Sequence, residues 1–122
     1  FVAHPKYANS KDAKVAGELL ASRFFQKDVY TDLKNPSAWE TFSYPFWNTD
    51  LIPSLHILTE LGFEKEHKQL QKALGCLLNK QTPDGLFDLH KNHDRYHDQD
   101  LWLALAICRI LKTMNTTVSR SQ

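Results

Sequence analysis

The chain has 122 residues, 42% of them apolar, which is enough for one domain with a substantial hydrophobic core. Fifteen basic and fourteen acidic side chains leave a net charge of +1, so the composition excludes the strongly basic surface that nucleic-acid binding requires. The longest unbroken apolar run, residues 101–108, is far shorter than the roughly 18 residues that indicate a membrane span, and no span is predicted.

Hydrophobic periodicity predicts an all-α fold. Apolar residues recur at helical spacing in four stretches, near residues 11–26, 49–62, 66–80 and 99–114. The first and third stretches are apolar on one side only, which is typical of helices at a surface. The second and fourth are apolar around most of their circumference, and residues 101–108 are apolar on every side. We therefore expect the fourth helix to be buried all round.

The long connection between the first two helices, residues 27–47, carries more aromatic side chains than a mobile linker would. Burying each of them is worth about 1.5–3 kcal/mol, so the sequence predicts an ordered loop packed on the core. The six aromatic residues are Tyr30, Trp39, Phe42, Tyr44, Phe46 and Trp47. The small and polar tail, residues 115–122, is predicted to be disordered.

The sequence contains an internal repeat. When residues 50–61 are placed over residues 100–111, five of the twelve positions are identical without a gap. The outer helices agree more weakly, around Gly17 and Gly75 at an offset of 58 residues. Amphipathic outer helices thus alternate with apolar inner helices, which is typical of stacked α-hairpins. The predicted units are two hairpins, about 11–62 and 66–114, in a single domain 1–114.

Residues 81–87 carry a motif that follows an outer helix and precedes an inner one. Gln81, Gly85 and Phe87 resemble the Gln-x-x-x-Gly-x-Trp repeat signature of squalene and oxidosqualene cyclases and their prenyltransferase relatives, with Phe in the place of Trp. In such a motif the Gln side chain bonds free backbone groups, the Gly permits the turn and the aromatic ring packs on a neighbouring hairpin. The resemblance implies an α/α toroid whose inner helices line a central cavity, of which two hairpins form a part.

The sequence departs from the family at the residues that carry its chemistry. Hopene-type cyclases use an Asp-x-Asp-Asp acid, whereas Asp98 and Asp100 are followed here by Leu101. Protein prenyltransferases hold zinc with Asp, Cys and His, and neither Cys76 nor Cys108 has a matching acidic neighbour in the sequence. No catalytic residue is therefore carried over from the family.

The densest polar segment, residues 90–100, contains three of the six histidines and three carboxylates. Three interpretations remain open: a solvated loop whose aspartates cap the fourth helix, a metal site, or a proton-transfer site based on imidazole. Imidazole and carboxylate are a reasonable ligand set for zinc or another transition metal. The metal interpretation assigns the ion to His90, His93 and His97.

A second group of residues is predicted at the ends of the inner helices. Trp47, Asp50, His56 and Trp102 suit an apolar pocket with a polar rim, of the kind that holds a lipid or a prenoid chain. The alternative interpretation is that the aromatic residues belong to the core, that Asp50 caps a helix and that His56 is hydrogen-bonded in the core.

These observations favour a non-catalytic binding or assembly module over an enzyme. Its expected ligand is an apolar small molecule or a protein partner, the latter a second copy of the chain or the remainder of a longer one. The alternative is a segment of an enzyme that acts on an isoprenoid or a similar apolar substrate. No cofactor is predicted apart from the zinc of the metal interpretation.

The two cysteines, Cys76 and Cys108, lie in helical patterns and are predicted to be free, buried thiols rather than a disulfide. Free thiols favour a reducing compartment, so a cytoplasmic location is expected. No secretory leader is recognisable after Phe1, and the missing initiator Met suggests a processed product or a piece of a longer protein.

Overall fold

A computed structural model describes residues 1–27, 35–42, 44, 49–88 and 97–120, and within the last segment it describes the side chains of residues 98–115. The described chain is all-α, as predicted, and its only pairing of extended backbone there is an isolated bridge between Gln81 and Phe87. The helices are α1 (Pro5–Ala8), α2 (Lys11–Ser22), α3 (Leu51–Glu60), α4 (Lys68–Leu78) and α5 (His97–Arg120), and a 3-10 helix spans Pro36–Glu40.

Two of the helices begin at capping side chains. The Ser10 hydroxyl accepts a hydrogen bond from the Ala13 backbone N–H at 3.1 Å, at the start of α2. The Asp50 carboxylate accepts one from the Ile52 backbone N–H at 2.8 Å, at the start of α3. Each cap satisfies a donor that the helix itself leaves free, which is worth about 1 kcal/mol.

All four predicted helices are present, and the largest difference lies at the end of α5. This helix continues to Arg120, through most of the segment 115–122 that was expected to be disordered. Residues 109–122 contain neither Gly nor Pro, so nothing in the covalent structure ends the helix at residue 115. The short helix α1 was not predicted from the sequence.

Helix α3 is the centre of the packing. It contacts α2 and α4, and its most extensive contact is with α5. Leu51, Leu55 and Leu58 of α3 are fully buried. Helix α4 lies against α2 and α3, and its contact with α5 is weaker than either of these. The second predicted hairpin, α4 and α5, is therefore less closely packed than the first, α2 and α3.

Two equivalent glycines show this difference between the hairpins. A Cβ on Gly17 of α2 would come within 2.5 Å of the Phe63 ring and 3.3 Å of the Leu58 side chain, so α2 approaches α3 closely there. A Cβ on Gly75 of α4 would meet nothing within 4 Å. The sequence repeat is therefore accompanied by unequal packing of the outer helices.

The long aromatic connection is packed on the core where the structure describes it. Trp39, in the 3-10 helix, is 2% exposed, and its indole N–H donates to the Gln26 carbonyl at 3.2 Å. The Trp39 ring also meets Phe24 edge to face, with 5.3 Å between ring centroids, and Phe42 is buried. The prediction of an ordered loop is confirmed for Trp39 and Phe42. Tyr30, Phe46 and Trp47 lie outside the described residues.

Within the described segments, no helix combines the length and the apolar character needed to cross a membrane.

Candidate functional site

The structure describes three of the four predicted pocket residues and gives them different surroundings. Asp50 is completely buried as the N-cap of α3, so it does not form the rim of a pocket. His56 is exposed on α3, so the alternative prediction, that it is hydrogen-bonded in the core, is wrong. Trp102 is half exposed on α5, and Trp47 lies outside the described residues. The capping role of Asp50 is the part of the alternative interpretation that is confirmed.

The side chains of the three predicted metal ligands all lie outside the described part of the structure. His90 and His93 lie outside the described residues, and His97 begins α5 with a side chain that is not described either. Among the residues that are described, no three His, Cys, Asp or Glu side chains lie close enough together to hold a metal ion.

The first turn of α5 contains Asp98 and Asp100, as the capping interpretation predicts. Negative charge is favoured in this position because the helix dipole and the free N–H groups present positive potential at the N-terminus.

The motif at residues 81–87 forms a tight turn in which each signature residue has a structural role. The Gln81 side-chain amide donates to the Gly85 carbonyl at 3.2 Å. Gly85 adopts a positive φ of 86°, which a residue with a Cβ rarely adopts. Phe87 is buried and belongs to the hydrophobic core. The predicted role of Gly85 is confirmed, whereas Gln81 bonds its own turn rather than a helix end.

A groove lies between this turn and the start of α5. Its apolar wall consists of Leu86, Phe87 and Leu101. Its polar lining consists of Thr82, Asp84, Asp88 and Asp100. The hydroxyl of Thr82 donates to the carboxylate of Asp84, and this bond lowers the pKa of Asp84.

The most unexpected feature is the exposure of α5. The apolar run 101–108 was expected to be buried all round, and this prediction is wrong. Leu101, Trp102 and Leu105 are 55%, 51% and 42% exposed, and Cys108 is exposed as well. Leu103 and Ile107, on the other side of the helix, are fully buried. We call the surface formed by Leu101, Trp102, Leu105 and Cys108 the open face of α5.

An aromatic pair extends the open face beyond the helix. The ring of Tyr44, from the long connection, stacks on Trp102 with 5.4 Å between centroids and 6° between ring planes. Tyr44 itself is half-buried against the core. The stack holds the indole flat on the surface, so an apolar platform remains accessible there.

The internal repeat makes the exposure of this face informative. The residues of α3 that align with the open face are buried, although the corresponding residues of α5 are exposed. These α3 residues are Leu51, Ile52, Leu55 and Leu58. In α3 this face is covered by neighbouring helices, whereas α5 lies at the edge of the described structure. The same face is therefore a core surface in one copy and a free surface in the other.

A small group beside α4 was not predicted from the sequence. The Cys76 thiol is half-buried beside the Glu40 carboxylate. The Lys80 ammonium lies 3.3 Å from the same carboxylate. Burial is the first cause that raises the pKa of Cys76 to about 11, and the hydrogen bond and the negative charge of Glu40 add to it. No sequence pattern links a residue of the long connection to α4, so only the tertiary structure could reveal this group.

Comparison with known protein families, with curated proteins and with solved structures finds no match to this chain.

Proposed function

We propose that the chain is a non-catalytic binding and assembly module of the helical-hairpin type, and that it binds through the open face of α5. The observation that carries this proposal is the exposure of Leu101, Trp102 and Leu105 at positions whose repeat equivalents are buried. Because the equivalent face of α3 is part of the core, the open face of α5 has the composition of a surface that packs against another apolar surface.

The composition of the open face supports a binding role. Contiguous apolar side chains on a monomer surface mark interaction sites more often than not, and tryptophan is enriched among the residues that dominate binding energy. Trp102 belongs to this surface, and its indole ring is held by stacking on Tyr44. An occupant would bury the exposed side of the indole without having to order it first.

The geometry of the 81–87 turn supports a relation to the squalene cyclase and prenyltransferase repeat family, because Gln81, Gly85 and Phe87 each have a role in it. On this proposal the two hairpins are a partial α/α toroid, with α3 and α5 as its inner helices.

The alternative function, a segment of an enzyme acting on an isoprenoid or similar substrate, has one observation in its favour. The groove beside α5 combines an apolar wall with Asp84, Asp88 and Asp100. Carbocation chemistry, however, needs an acid that stays protonated and a cavity that excludes water. Asp100 lies in the first turn of α5, where an acidic side chain serves the helix itself, which argues against the enzyme.

One experiment separates the two classes. The protein is incubated with squalene and with prenyl diphosphates, and the products are analysed by mass spectrometry, with Asp100→Asn as the comparison. We expect no conversion by either protein. Turnover that disappears in Asp100→Asn would place the chain among the enzymes.

A second experiment tests the binding surface itself. The apolar dye anilinonaphthalene sulfonate is titrated at low protein concentration into the wild type, Leu105→Lys and Leu19→Lys. Leu19, on α2, is 64% exposed and serves as the matched control. We expect Leu105→Lys to remove most of the dye signal and Leu19→Lys to leave it unchanged. Equal losses in the two variants would contradict the assignment of the surface to α5.

A further inference from the structure

We infer that the occupant of the open face is a second copy of this chain, whose α5 packs antiparallel against the first across a twofold axis. This inference rests on the proposed function, because it names the partner of the surface proposed there. Three observations support it: the spacing of exposed residues, the distribution of charge and the repeat equivalence described above.

Five exposed residues of α5 follow the spacing of a helix-pairing seam. They recur at intervals of three and four residues, and every one of them is exposed. The seam consists of Asp98, Leu101, Leu105, Cys108 and Lys112. Leucine or cysteine at the three inner positions and charged residues at the two ends are typical of a short contact between two helices.

The charges of α5 select the antiparallel orientation. Asp98 lies at the start of the exposed seam, whereas Arg109 lies beside its far end. In a parallel pair each of these residues would face its own copy, and like charges would repel. In an antiparallel pair Asp98 lies near Arg109 of the partner subunit, which is an attractive contact.

The antiparallel register is fixed by the same residues. If Leu101 packs on Leu105 of the partner subunit, the twofold axis passes near residue 103. If Asp98 pairs with Arg109 of the partner subunit, the axis passes within one residue of the same position. At about 1.5 Å of rise per residue the two solutions differ by less than 1 Å, so the apolar and the charged contacts form together.

The association is measured by sedimentation equilibrium over a wide range of protein concentration. We expect a concentration-dependent dimer whose dissociation constant rises about tenfold or more in Leu105→Lys and stays unchanged in the control Leu19→Lys. Circular dichroism establishes that each variant is folded. Arg109→Glu, which leaves the apolar residues intact, should also weaken the dimer, and adding Asp98→Lys to it should restore most of the loss.

Disulfide trapping tests the register. Both native cysteines are first replaced, Cys76→Ser and Cys108→Ser, and Leu101→Cys and Leu105→Cys are made separately in this background. A mixture of the two variants should form the mixed disulfide faster than either variant forms a disulfide with itself, and Leu19→Cys should remain unlinked. Faster self-disulfides would indicate a parallel pair and overturn the antiparallel register.

The outcomes distinguish this inference from the function on which it rests. A protein that stays monomeric at millimolar concentration overturns the second-copy occupant. If that monomer still binds the apolar dye through Leu105, the proposed function stands and its partner is a different molecule. A protein that neither dimerises nor binds the dye through Leu105 would contradict both the inference and the proposed function.

Discussion

Helix α3 lies at the centre of the molecule, and α5, its repeat equivalent, lies at the edge. Leu51, Ile52, Leu55 and Leu58 of α3 are buried, whereas the aligned residues of α5 form the open face. Similar residues therefore stabilise the fold in one place and remain available for binding in the other. Whether an apolar helix surface stabilises the fold or remains free for binding therefore depends on which helices lie beside it. Paired substitutions at aligned positions of α3 and α5 test this dependence.

The largest contrast is expected between Leu55→Ala and Leu105→Ala. Leu55 is completely buried, and its truncation leaves a cavity that should lower the free energy of unfolding by about 3 kcal/mol. Leu105 is half exposed, and its truncation should cost the monomer less than about 1 kcal/mol. Urea unfolding at low protein concentration measures both values. Equal losses would break the distinction between a core helix and an edge helix.

The two aligned aspartates form the next pair. Asp50 is fully buried and accepts the Ile52 N–H, so Asp50→Ala removes a cap and should cost about 2 kcal/mol. Asp100 is half-buried in the first turn of α5, and Asp100→Ala should cost no more than about 1 kcal/mol. The same unfolding measurement compares them. A larger loss for Asp100 would show that the capping roles of the two repeats are reversed.

The glycine pair should give effects of opposite sign. Gly17→Ala places a methyl group against Phe63 and Leu58, which should lower stability by about 1 kcal/mol after the gain in helix propensity is counted. Gly75→Ala meets open space inside α4 and should raise stability by about 0.5–1 kcal/mol. Thermal unfolding shows whether each variant has a higher or a lower melting temperature than the wild type. A stabilising Gly17→Ala would mean that α2 can move away from α3 at little cost.

The smallest effect on stability, and the clearest dependence on pH, belongs to the cysteines. The pKa of Cys76 is about 11, so at pH 8 only about one in a thousand of these thiols is ionised. The exposed Cys108 should therefore react first with a thiol reagent, and the Cys76 rate should rise steeply between pH 8 and pH 11. Mass spectrometry of the labelled peptides identifies each site, and Cys108→Ser isolates the slow one. Faster labelling of Cys76 at pH 8 would contradict its burial against Glu40.

The same titration predicts how stability depends on pH. The pKa of Cys76 in the folded protein lies above its ordinary value of 9.0, so the protonated thiol is favoured by folding. This contribution is complete below pH 9 and is lost as the pH rises towards 11. Replacing Cys76 with Ser should flatten the decline of stability over this range, whereas replacing Cys108 should not produce this change.

Local physics was sufficient to predict the helices, the Asp50 cap and the turn. Helical periodicity located all four main helices, because the spacing of apolar residues depends only on the geometry of the helix. Ser10 and Asp50 cap helices because their side chains reach backbone donors two or three residues away. The turn at Gly85 follows from its positive φ, which is also a local property.

Tertiary structure alone decided which side of each helix is covered. Periodicity cannot distinguish a helix surrounded by neighbours from one at an edge, because both are equally apolar in sequence, and the burial predicted for residues 101–108 was wrong for this reason. The pocket predicted from Trp47, Asp50, His56 and Trp102 required long-range placement that no spacing encodes. Asp50 turned inward as a cap, His56 faced outward, and Trp102 remained on the open face, because the contact between α3 and α5 uses the opposite side of α5.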